Sequence, residues 1–193
     1  MKKIMVAAMV LFLLVGCSSM KTETKKKTDP KDELNTFVTN YNKATETLEE
    51  STKIKIEKLS KDNFKELVKQ NDDSGYRQVL DEGKSDDTTA GYEVACLYDK
   101  DKNIIGYQSY GVGKFTESED EGIVAFSDKG IVLGQIIATA LDLDHTKVGD
   151  HFIKMMDEKE LINDDSFEEK GYKISIHTDA KVGGVVYKFI KTK

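Results

Sequence analysis

The strongest constraint on what this chain can fold into sits at its start. Lys2 and Lys3 are followed by an unbroken apolar run from Ile4 to Val15, 12 residues long. A helix that crosses the hydrocarbon core of a bilayer needs about 20 apolar residues, so the run is too short to span one. A basic opening, a short apolar stretch and a small-residue boundary at Gly16 make an export signal instead. The rest of the chain is therefore expected to fold outside the cytoplasm. No apolar run after Cys17 approaches the length of a membrane span.

The boundary itself, Leu14-Val15-Gly16-Cys17, resembles the lipobox of bacterial lipoproteins. In that motif leucine, a small or aliphatic residue and glycine or alanine precede an essential cysteine. The resemblance covers the first 17 residues. It implies that Cys17 Sγ takes a diacylglyceryl group and that cleavage leaves Cys17 as the first residue. The protein would then be lipid-anchored at the cell membrane, on its extracytoplasmic face. Two acyl chains anchor stably, at about 0.8 kcal/mol per buried CH₂, so no second attachment is needed. An ordinary cleaved leader with an accidental cysteine fits less well, because the cysteine falls where apolar sequence gives way to a Ser/Thr/Lys-rich segment.

The only other cysteine is Cys96, in the strand-like run Tyr92-Glu93-Val94-Ala95-Cys96-Leu97-Tyr98. With Cys17 acylated it has no partner for an intrachain disulfide. The simplest expectation is a small buried apolar residue. The fold must then stand on its core alone.

From Ser18 to Lys31 the chain has almost no apolar residues, and it carries five lysines against two acids. Such a segment cannot bury enough surface to offset its ordering entropy and is expected to act as a flexible tether. Loss of the leader removes Lys2 and Lys3 and moves the formal net charge from −6 to −8. Setting aside the tether's +3 leaves −11 for residues 32–193. A domain this acidic offers no basic face for phosphate contacts, which argues against a nucleic-acid partner. Its size suits a single domain, and the one proline, Pro30, lies in the tether.

Asp29-Pro30-Lys31-Asp32 reads as a helix start, with a capping aspartate and proline in the first turn. Leu34, Phe37, Val38, Tyr41, Ala44 and Leu48 continue it as one apolar stripe. Ile54 and Ile56 alternate with lysines and suggest a short strand, and Asn63 to Gln70 suits a short helix. Tyr92–Asp99 and Ile104–Gly113 predict a hairpin around Asp99-Lys100-Asp101-Lys102-Asn103, with Gly122–Phe126 a further strand candidate. Helical periods follow at Lys129–Leu141 and Thr146–Lys159, and a closing hairpin joins Tyr172–His177 to Val185–Ile190. The order predicts an α+β fold, an antiparallel sheet of about five to seven strands with helices packed on one face.

No motif in the domain carries chemistry. Asp99, Asp101 and Asn103 match the first ligand positions of an EF-hand loop, but Ile104 and Tyr110 stand where glycine and the bidentate glutamate belong. Asp142, Asp144, His145, Asp150 and His151 are close in sequence, yet the histidines are six apart and do not share a helical face. Asp144 is expected to cap the following helix, with Asp150 and His151 on its solvent side. His177 reads as a surface strand residue. There is no nucleophile elbow and no Walker loop. Tyr92, Tyr98, Tyr107, Tyr110, Tyr172 and Tyr187 crowd the two hairpins, most simply as packing residues, although tyrosine also suits recognition surfaces. No cofactor, metal or catalytic residue is expected.

A lysine-rich tether before a small acidic α+β domain resembles the small lipoproteins of low-GC Gram-positive bacteria and their mobile elements. That likeness implies an anchored, non-catalytic binding domain for a protein or envelope partner. Three alternatives stay open. One is a cell-envelope enzyme without a recognisable motif, and another is a phage or plasmid exclusion lipoprotein. The third is a signal-peptide-derived pheromone, because Met9 to Gly16 resembles the apolar octapeptides that enterococci trim from lipoprotein leaders.

Overall fold

Asp29 caps the first helix of the described residues. Its Oδ1 accepts from the Lys31 backbone N–H at 2.8 Å, and helix α1 runs Pro30–Thr52. This computed structural model describes residues 29–52, 54–71, 74–84, 89–114, 126–157 and 160–192. The predicted stripe is the buried face of α1: Phe37, Val38, Tyr41 and Ala44 are in the core, with Leu34 and Leu48 packed at its margin.

Among the described residues seven strands follow, broken by two helices. They are β1 (Val68–Lys69), β2 (Tyr76–Lys84), β3 (Thr89–Tyr98), β4 (Ile104–Gly113), β5 (Ile162–Glu169), β6 (Tyr172–Asp179) and β7 (Gly184–Lys191). Helices α2 (Asp128–Ala140) and α3 (His145–Asp157) lie between β4 and β5 in sequence. One antiparallel sheet holds all seven strands in the order β1-β2-β3-β4-β7-β6-β5. The fold is α+β. Both expected hairpins are present, with Cys96 opposite Tyr107 in one and Ile176 opposite Tyr187 in the other. The last strand returns to the first hairpin, placing Ser109 opposite Tyr187.

Side-chain contacts between helices and sheet fall on strand positions of one parity. Phe37 of α1 stacks on Tyr107, ring centroids 3.7 Å apart. Gly111 of β4 lies so close to α2 that a Cβ there would sit 2.5 Å from Gly130 Cα, and a Cβ on Gly134 would sit 2.6 Å from the Tyr187 ring. Helix α3 meets Asp165 and Phe167 of β5 through His151. Strand β3 is also buried on its other side, at Ala95 and Leu97, where Arg77 and Glu93 form an ion pair across β2 and β3.

Four sequence expectations need correction or placement. Residues 54–60 form no strand; Ile56 and Leu59 pack into the core, and the Ile56 and Leu59 N–H groups bond to Glu49 and Asn42 of α1. Asn63 to Gln70 is not a helix. After a single 3₁₀ turn at Lys61–Asn63 the chain extends along β2, the Lys65 N–H donating to Val79 O, because a sheet edge offers partners that a short isolated helix lacks. Strands β2 and β5 have no counterpart in the pattern analysis. The candidate strand Gly122–Phe126 lies, apart from Phe126, outside the described residues.

Candidate functional site

Leu14, Val15, Gly16 and Cys17 lie outside the described residues. The structure therefore bears on the domain, and there the two ends of the sheet differ. At one end α1 begins. Glu33 in its first turn meets the last residue of β7, Lys191 Nζ, at 2.5 Å, and the same ammonium donates to Ile104 O at 3.0 Å. A cleft of about 330 Å³ opens beside this pair, lined by Phe37, Asn40, Tyr107 and Tyr172. The Tyr107 hydroxyl is buried at its base and has no hydrogen-bond partner among the described residues.

Burial raises the pKa values of the tyrosines that line that cleft and of the Cys96 thiol beside Tyr107. Burial pushes the Cys96 thiol up to about 12, and the Tyr98 hydroxyl and Lys191 only partly relieve this. Burial likewise holds the Tyr107 phenol far above its ordinary value, with Cys96 and Glu33 adding to the shift, and takes the Tyr172 phenol up to about 12. A thiol so raised supplies no thiolate near neutral pH, so Cys96 is a core residue, not a nucleophile.

The sequence candidates for metal binding separate in space. Asp99 Oδ1 accepts from the backbone N–H groups of Asp101 and Asn103 at 2.9 and 2.8 Å, which makes a turn-stabilising carboxylate of the first EF-hand-like position. Asp144 caps α3 through the Thr146 N–H at 2.9 Å, as expected. Asp142 instead pairs with Lys170 in the β5–β6 turn. Among the described residues no group of three or more His, Cys, Asp or Glu side chains is placed to hold a metal ion.

His151 departs from the expected solvent position. Its ring stacks on Phe167 at 4.1 Å, and Nδ1 lies 2.6 Å from Asp165 Oδ2. Partial burial opposes charge on Asp165, but the His151 contact and the Ser166 N–H outweigh it and hold the carboxyl below its ordinary range. The signal for this contact was in Phe167, an aromatic within an acidic stretch, and it became legible only once β5 was placed beside α3.

His177 sits on the outward face of the sheet, Nδ1 2.9 Å from Asp164 Oδ1. Both line a shallow depression of about 460 Å³ with Gln108, Ser175, Val186 and Lys188. Ser175, His177 and Asp164 are the residue types of a hydrolytic triad, but the arrangement is not one. Asp164 is 78% exposed, whereas the orienting carboxylate of a triad is buried, and the Ser175 hydroxyl makes no hydrogen bond to His177.

Comparison of the chain with known proteins finds no matching family, no matching curated protein and no matching solved structure. The site must accordingly be judged on its own chemistry.

The other end of the sheet, away from the start of α1, is where apolar surface is bare. Five large apolar side chains in the described residues are exposed, and three of them lie at this end: Leu161, Ile162 and Val182. Leu161 O accepts from the Ala180 N–H, Ile162 pairs with Asp179, and Val182 lies in the turn that follows. Leu161 also edges a shallow hollow with Phe126, Met156 and Ala180. A clustered apolar patch with a polar surround is characteristic of an interaction surface, whereas single exposed apolar residues are not.

Proposed function

We propose that the protein is a membrane-anchored extracytoplasmic lipoprotein whose α+β domain is a non-catalytic binding module for a protein or envelope partner. The observation that carries the anchor is Leu14-Val15-Gly16-Cys17 placed directly after Lys2, Lys3 and the 12-residue apolar run. Support for binding comes from the domain. Its histidines are committed to carboxylate neighbours or exposed, its one described thiol is inert, and its bare apolar side chains concentrate at the end remote from α1's first turn.

The test is Cys17→Ser in the native host, followed by labelling with a palmitate analogue and by fractionation. The expected outcome is complete loss of label and release of the protein from the membrane fraction. Continued membrane retention of the unlabelled variant refutes the anchor.

A further inference from the structure

Strand β5 ends the sheet, eight residues long with β6 as its strand neighbour, while the opposite end strand β1 has two residues. The direction of its backbone groups follows from one bond. Leu161 O accepts from the Ala180 N–H at 2.8 Å, so in an antiparallel ladder every second residue from Leu161 bonds to β6. Ile162, Asp164, Ser166 and Glu168 therefore turn their N–H and C=O groups outward. In agreement, the Ser166 N–H is met by its neighbour's carboxylate, Asp165 Oδ1, at 2.7 Å. We propose, resting on the binding-module reading, that this edge accepts an extended segment of a partner protein as an eighth strand, apolar at one end and basic along the remainder.

The chemistry of that occupant is set by what β5 presents. At the end of the strand remote from α1's first turn an incoming chain meets Leu161 and Ile162, 58% and 45% exposed. Charged side chains blunt an edge against indiscriminate pairing, whereas the adjacent apolar pair Leu161 and Ile162 does not. Along the rest of the strand it meets Asp164, Asp165, Glu168 and Glu169, with no Lys, Arg or His between Leu161 and Glu169. Asp165 and Glu169 are engaged with His151 and Lys147 on the helix side, and Asp164 with His177. Glu168 has no ion pair among the described residues. Opposite charges across a strand pair are stabilising and like charges are not. A second copy of β5 would set these four acids against the same four, so charge excludes self-pairing and selects lysine or arginine in the added strand.

The test uses the full chain in a non-ionic detergent and a capped peptide of about ten alternating Val and Lys residues, long enough to cover a strand. A Val–Glu peptide is its control, and binding is followed by fluorescence anisotropy. The Val–Lys peptide is expected to bind at least about tenfold more tightly than the Val–Glu peptide. Ser166→Pro and Ile162→Asp are each expected to weaken it by about tenfold or more. Ser166→Pro removes an outward N–H that the β6 ladder does not use, and Ile162→Asp, at an exposed position, carries the test alone where the proline variant does not fold. Equal binding of the two peptides, no binding, or full binding by Ile162→Asp overturns the proposal. A gain in affinity on deleting residues 21–28 also overturns it, by assigning the edge to the chain's own lysine-rich tether. None of these results touches the anchor, which palmitate labelling reports separately.

Discussion

The two ends of the sheet are built on opposite principles. Where α1 begins, polar groups close the end: Lys191 ties β7 to Glu33 and Ile104 O, Lys170 reaches Asp142, and Glu169 accepts from the Asp144 N–H at 2.8 Å. At the other end the interior is tight, with Gly111 against Gly130 and Ser127, but the exterior is bare at Leu161, Ile162 and Val182. Charged locks hold a defined geometry without offering apolar surface. An uncovered apolar corner adds little to the stability of the isolated domain. The difference sets a locked end against a bare one, the end proposed to meet a partner.

Three substitutions break or sharpen that contrast. Lys191→Met should have the largest effect. It strands the Glu33 carboxylate and Ile104 O at a position where both side chains are about two-thirds buried or more, at 35% and 26% exposure. A loss of about 2 kcal/mol is expected from the urea unfolding midpoint. An unchanged midpoint would show that this end is not locked.

Asp165→Asn, between the ends, should cost about 1 kcal/mol at neutral pH, since the His151–Asp165 pair is roughly a quarter exposed. Its signature is the pH dependence. The folded carboxyl titrates below its ordinary 3.8, so in acid the unfolded chain binds the proton first. The contribution is therefore fully present above the unfolded value and is lost as pH falls through the lower folded one. Stability of the wild type and the variant should converge in that acidic window. Parallel curves down to the lowest pH would refute this role.

The smallest effect belongs to the bare corner. The double substitution Leu161→Ser with Ile162→Ser should change folding stability by less than about 0.5 kcal/mol, as for surface positions generally. A substantial fall in the thermal midpoint would mean that these side chains serve the fold, and the contrast between the ends would fail.

Some of this was legible in advance. The stripe from Leu34 to Leu48, the hairpin around Asp99 and Asn103 and the Asp144 cap are local patterns, and local patterns survive folding. Phe64, Leu67 and Val68 misled because their spacing of three and four is helical, yet a hydrogen bond from Lys65 to Val79 on a distant segment decided their conformation. Strand β2 escaped notice because Arg77, Gln78, Asp81 and Glu82 hide its alternation, and a bulge at Leu80 shifts its register against β3. Strand β5 was hidden by its acids. The recognition surface proposed here follows from that strand's position at the edge.

Sequence alone carries the proposed leader with its Cys17 boundary, and it determined the acidity of the domain and the helices and hairpins whose hydrophobic periods close within a few residues. Tertiary structure decided that β7 slots between β4 and β6, that His151 folds down onto Phe167, and that β5 ends the sheet among the described residues. The reason is physical. Periodicity reports which face of an element seeks burial, whereas strand order depends on backbone partners and core shapes contributed from far along the chain.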